Sequence, residues 1–294
     1  MTRPIAPAAA MFKGASGNTL VGDVYGEEGP PVLLLHGGGQ TRHAWKKTAE
    51  LIAGLGRVAY AVDQRGHGDS EWVADGAYQY DDFAADARVL ADTLAERSGV
   101  RPVAVGASLG GMATLLADSR KAANARMFEA LVLVDITPRV DVDGVAKIQA
   151  FMRAHAREGF GSIAEAADAV AAYLPHRSRP RSHEGLKKNL RLHPDGRWRW
   201  HWDPRFIDSN RRIGPGSEDV ERALIAAAKA ITVPALLVRG ASSELVQEDH
   251  AKDFLKLVPH ARYVDVSGAR HMVAGDRNDQ FAKAIEDFLS RLKI

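Results

Sequence analysis

Ser108 stands in Gly106-Ala107-Ser108-Leu109-Gly110, directly after the run Val103-Ala104-Val105 and before Gly111-Met112-Ala113-Thr114-Leu115. A G-x-S-x-G sequence between a strand and a helix is the setting in which a sharp turn exposes a serine hydroxyl for nucleophilic attack. That hydroxyl is a weak nucleophile until a base takes its proton. Of 11 histidines, His271 is the one that follows the last strand-like run, within Ser267-Gly268-Ala269-Arg270-His271-Met272, and it is the candidate base. The base needs a carboxylate to fix its tautomer and to stabilise the imidazolium. Two compete: Glu244, after Leu236-Leu237-Val238-Arg239-Gly240-Ala241-Ser242-Ser243, and Asp135, after Leu131-Val132-Leu133-Val134. Both keep the order nucleophile, acid, histidine. Position favours Glu244, with Asp135 as the alternative, and the unused one becomes a loop or helix-capping carboxylate.

Such a set performs acyl transfer, which also requires preorganised donors for the developing oxyanion. His36-Gly37-Gly38-Gly39 follows an early strand-like run. The expected donors are the N–H groups of Gly38 and Leu109, with Gly37 as the substitute for Gly38. The run does not read as a phosphate cradle, because neither G-x-G-x-x-G nor G-x-x-x-x-G-K-S/T is present there. His36 and His67 are expected chiefly to structure their loops, and His36 is also a candidate for substrate contact. Trp198, Trp200 and Trp202 recur at period two and would share one face of an extended segment, opposite Arg199 and His201. They form either an aromatic wall over the substrate or the packing that seats a cap on the main body.

Positioning these residues on one rim is the task of the elements between them. Continuous apolar runs, Val32–Leu35, Val58–Val62, Val103–Val105, Leu131–Val134, Ala235–Val238 and Tyr263–Val266, read as strands buried on both faces. Helical stripes lie between and after them, such as Phe83, Ala87, Leu90 and Leu94, and Phe281, Ile285, Phe288 and Leu292. The alternation implies an α/β fold: a mostly parallel, doubly wound sheet with right-handed crossovers. Met11–Gly26 reads as a hairpin extending one edge. Polar groups just past the strand ends then share the side where ligands bind in such sheets. The step from the strand at 131 to the one at 235 spans 104 residues, whereas a crossover needs roughly 30. The excess contains helical stretches at Val145–Arg157, Ile163–Tyr173 and Val220–Ala230 and reads as an inserted helical cap. The expected division is a core of 1–136 and 231–294 and a cap of 137–230.

Composition narrows the classes. The 294 residues are 46% apolar and 26% charged, which excludes a disordered or fibrous chain. With no cysteine, thiolate nucleophiles, disulfides and Cys-bound metals are excluded. No apolar run is long enough to cross a bilayer, and the N-terminus does not read as a signal peptide. The expectation is a cytoplasmic protein, monomer or homodimer, without nucleic-acid or membrane partners. The net charge of +2 hides a split: Arg177–Arg199 carries +6 and the remainder −4. That run is a solvated face or a means of attracting an anionic substrate.

Together these motifs resemble the α/β-hydrolase superfamily from about Val32 to Leu292. Asp63-Gln64-Arg65-Gly66-His67-Gly68-Asp69-Ser70 is similar to the family's D-x-R-G-x-G-x-S segment, which is mainly structural. The strand-seven ending is similar too, with Glu244 where aspartate is more common; members that use a carboxylate after strand six keep Asp135 in view. Ser108 stands where epoxide hydrolases and haloalkane dehalogenases have aspartate, and the glycine-rich loop departs from the bulkier Phe-Pro type of haloperoxidase-like members. The resemblance implies a serine hydrolase acting through an acyl-enzyme on a small-molecule acyl substrate, with no metal or organic cofactor. Carboxylic esters are the broadest class. Lactone or C–C bond hydrolysis and acyl transfer would use the same triad, and a ligand receptor with little turnover would use the same scaffold.

Overall fold

The computed structural model describes residues 7–120, 126–175, 182–208, 217–273 and 278–292. Among them, eight strands form one sheet: β1 (Ala8–Lys13), β2 (Thr19–Tyr25), β3 (Pro31–Leu35), β4 (Val58–Val62), β5 (Val103–Ala107), β6 (Ala130–Val134), and two more after the insertion, which are β9 (Ala235–Gly240) and β10 (Arg262–Val266). Their spatial order is β1-β2-β4-β3-β5-β6-β9-β10. Pairings of β1 with β2 and of β2 with β4 are antiparallel, and the rest are parallel. The expected doubly wound sheet with a hairpin edge is therefore present. β5 lies at its centre, with Val103 beside Val32 on one side and Ala130 on the other.

Alternation along the buried strands divides their side chains between two layers. Leu33, Leu35, Ala104, Leu131 and Leu133 pack with α2 (Tyr80–Ser98) and α3 (Leu109–Ser119). Val32, Leu34, Val105, Val132 and Val134 pack with α1 (Lys46–Gly54) and the last helix, α10 (Asn278–Leu289). The stripe Phe83, Ala87, Leu90 and Leu94 is buried as its spacing predicts, and so are Phe281, Ile285 and Phe288.

Between β6 and β9 the chain forms α4 (Val142–Ala154), α5 (Ile163–Tyr173), α6 (Glu184–Lys187), a hairpin of β7 (Leu190–Leu192) and β8 (Trp198–Trp200), α7 (Arg205–Asp208) and α8 (Glu218–Lys229). Ser162 and Ser217 cap α5 and α8 by accepting from the N–H groups of Glu165 and Val220. The sequence reading assigned α8 to the cap, but α8 packs on α3 and on α9 (Glu248–Leu257). It covers the sheet as the crossover helix that feeds β9. The β7–β8 hairpin was not expected, since three-residue strands carry little periodic signal. Arg177, Arg179 and Arg181 of the basic run lie outside the described residues.

Candidate active site

Ser108 sits at the turn from β5 into α3. Ser108 has φ 46° and ψ −111°, outside the regions ordinarily open to residues with a Cβ. Its N–H donates to Val134 O at 3.2 Å, and its carbonyl accepts from Met112 N at 3.0 Å, so sheet and helix together hold the strained conformation. The flanking glycines are steric necessities. A Cβ on Gly106 would lie 2.4 Å from Gly110 O, and one on Gly110 would lie 2.2 Å from Leu35 O.

Asp135 follows β6 and also has positive φ, 48°. Its N–H donates to Val238 O at 2.7 Å, which turns the buried carboxylate toward the end of β9. There Oδ1 accepts from Gly240 N at 3.0 Å and Oδ2 accepts from Ser243 Oγ at 2.6 Å. Oδ2 also lies 2.8 Å from His271 Nδ1. An ionised carboxylate can only accept, so Nδ1 carries the proton and Nε2 is left basic. Ser243 completes the arrangement by accepting from Leu245 N and Val246 N, both at 3.0 Å. The sequence reading passed over Ser243, for which a lone hydroxyl one residue before a carboxylate offers no signal.

Glu244 does not take this place. His271 pairs with Asp135, while Oε2 of Glu244 is closed off from solvent without a hydrogen-bond partner. The structure brings Asp135, not the preferred Glu244, to His271, because the left-handed turn at Asp135 aims the shorter carboxylate at the histidine loop.

Of the glycine-loop N–H groups, that of Gly37 donates to Gln40 Oε1 at 3.0 Å and that of Gly39 to His67 Nε2 at 3.1 Å. Gly37 is thereby removed as an oxyanion donor. The N–H of Gly38 remains unengaged among the described residues, as does that of Leu109 in the first turn of α3, where helical N–H groups have no helical acceptor. His36 is corrected as a substrate contact. It is fully buried, accepts from Gln64 N at 3.0 Å through Nε2, and lies 2.8 Å from Gly37 O through Nδ1. Burial lowers its pKa from 6.5 to about 4, so it stays neutral. His67 is likewise buried, with Nδ1 2.9 Å from Arg65 O. The two rings brace the glycine loop from beneath. Asp63 fixes the neighbouring loop by accepting from the N–H groups of Arg42 and Asp69 and pairing with the Arg42 guanidinium.

Ser108, Leu109, Gly38 and His271 open into one cavity of about 640 Å³, capped by Phe151, Tyr173, Trp200 and Trp202. Of the three tryptophans, Trp200 and Trp202 line it, while Trp198 packs into the cap and pairs with Phe160 through the backbone. A strained serine, an imidazole oriented by a carboxylate, and two idle N–H groups are the parts that acyl transfer requires. Among the described residues there is no cluster of three His, Asp or Glu side chains fit to hold a metal, and no helix is long and apolar enough to cross a membrane.

The profile of the alpha/beta hydrolase family matches residues 32–284. The chain belongs to that family. This α/β-hydrolase is 33% identical over 263 residues to the esterase Rv0045c of Mycobacterium tuberculosis, covering 86% of this chain and 80% of the relative. It is 30% identical over 232 residues to 2-(acetamidomethylene)succinate hydrolase of Mesorhizobium japonicum, covering 78% and 77%. The crystal structure of E-2-(acetamidomethylene)succinate hydrolase superposes with a TM-score of 0.80 at 24% identity, over 97% of this chain and 99% of that one, which shows the shared fold. A solved structure of Rv0045c gives 0.74 at 27% identity, over 99% and 94%. The chain is thus a hydrolase of the α/β-hydrolase family.

Proposed function

We propose that the protein hydrolyses a carboxylic ester of a small molecule through an acyl-enzyme, with Ser108 as nucleophile, His271 as general base and Asp135 as the acid. The observation that carries this reading is the 2.8 Å contact of the buried Asp135 Oδ2 with Nδ1 of His271, which lines the same cavity as the strained Ser108. Ser108 Oγ attacks the ester carbonyl as its proton passes to His271 Nε2. The carbonyl π electrons move onto oxygen, where Gly38 N–H and Leu109 N–H donate. Collapse expels the alkoxide, which takes the proton from His271. Water repeats the sequence on the acyl-enzyme, releasing the carboxylic acid and restoring the Ser108 hydroxyl. Ser243 positions Asp135 and does not touch substrate.

The cavity volume suits a small organic molecule, and the two relatives named as hydrolase and esterase support a small-molecule acyl substrate. The segment from α4 to α7 serves as the cap that selects it. The test is a panel of p-nitrophenyl esters of graded acyl length combined with labelling by a fluorophosphonate. Turnover together with a single adduct on the peptide containing Ser108 is the expected result. Labelling that persists in Ser108→Ala would overturn the assignment.

A further inference from the structure

Glu244 is left over once Asp135 is given to His271. It lines the cavity, its Oε2 is out of solvent without a hydrogen-bond partner, and among the described residues it has no ion pair. A buried carboxylate oxygen in this condition carries a desolvation cost that a ligand can relieve. Its surroundings specify the ligand. Tyr173 on α5 also lines the cavity, and its phenol is raised to about 12, first by burial and then by the charge of Glu244. Phe151 stacks on Tyr173 with ring centroids 4.2 Å apart and planes 9° apart, and Trp200 lies 5.9 Å from Phe151. Aromatic rings beside a carboxylate form a receptor for an organic cation. Arg270 and Lys188 also line the cavity, but both are exposed at its rim, where water and salt screen their charge.

We propose that Glu244 is a specificity-determining residue: it accepts from a protonated amine carried by the non-reacting part of the substrate, which is therefore an ester of an amino-substituted acid or alcohol. The proposal rests on the hydrolase reading for the ester, but its binding half stands apart from turnover.

Two measurements test it. The first compares p-nitrophenyl ω-aminoacyl esters of graded length with alkyl esters of matched size. At the best length, wild type should favour the aminoacyl ester at least tenfold in kcat/KM. Glu244→Leu should reverse that preference while keeping activity on the alkyl ester, and Glu244→Gln should fall between. An unchanged ratio in Glu244→Leu overturns the proposal. The second titrates n-alkylammonium ions against n-alkanols of equal length, read by the fluorescence of Trp200 and Trp202. Tighter ammonium binding that Glu244→Leu abolishes supports the receptor even if no ester is turned over, a result that would count against the hydrolase reading alone. Equal binding of both ligand series in wild type overturns the receptor.

Discussion

On the core side of the cavity, backbone geometry sets the positions. Ser108 and Asp135 sit in left-handed turns at the ends of adjacent parallel strands, each N–H anchored to the next strand, and Gly38 is held by a loop braced on two buried histidines. On the cap side, backbone bridges tie Phe160 to Trp198 and Trp202 to His67, but the rings are set by one another: Phe151 against Tyr173, Phe160 against Trp200, and Trp202 against Phe206. Where the backbone fixes a group, its placement follows from a few short motifs. Where ring packing fixes it, many sequences can give the same wall.

The comparison breaks most severely at Ser108, the proposed nucleophile. Ser108→Ala should lower kcat by on the order of 10⁶, as expected of a triad that acts as a unit, measured on the best ester of the panel. Asp135→Asn should cost roughly 10³ to 10⁴ in kcat, because the imidazole loses its orienting carboxylate, while Glu244→Gln leaves kcat on a neutral ester within about threefold. The opposite ranking would return the acid role to Glu244.

Why the sequence favoured Glu244 over the carboxylate that reaches His271 is a matter of turn geometry. Both acids follow buried strands on the same rim, and composition cannot tell which backbone turns left. The selecting contacts, Val238 O to Asp135 N and Ser243 Oγ to Oδ2, join segments about a hundred residues apart in the chain. The sheet was legible because strands buried on both faces are written as unbroken apolar runs. The elbow was legible because Gly106 and Gly110 admit no side chain. The cap was legible as an excess of length and as the helical stretches that form α4 and α5, but not in its arrangement. Its three-residue strands leave no period to read, and α8 has the amphipathic stripe of any surface helix, so its packing on α3 rather than over the cavity left no mark in the sequence.

A smaller effect distinguishes the bracing histidines from the rings above. His36 binds its proton near pH 4 when folded and near 6.5 when unfolded. Between those values the unfolded state holds more protons, so stability falls as pH drops from 6.5 toward 4, by up to about 3 kcal/mol. Urea unfolding across that window should show the slope, and His36→Gln should flatten it; an unaltered slope would mean that other groups govern acid stability. The smallest effect belongs to the cap. Phe151→Leu should raise KM a few-fold with kcat nearly constant and cost about 1 to 3 kcal/mol of stability. A large fall in kcat would show that the cap rings help to align the reacting groups.

The left-handed backbone at Asp135 also limits how that position can be rebuilt. Asparagine and aspartate tolerate φ near +50° far better than most residues with a Cβ. An Asp135→Asn change therefore keeps the backbone and reports on the lost charge and the lost acceptor oxygen, whereas alanine or glutamate there mixes lost chemistry with a bent strand end. Moving the acid to the end of β9 would leave behind a turn after β6 whose positive φ suits aspartate, asparagine or glycine. The location of the carboxylate is thus tied to the conformation of its loop.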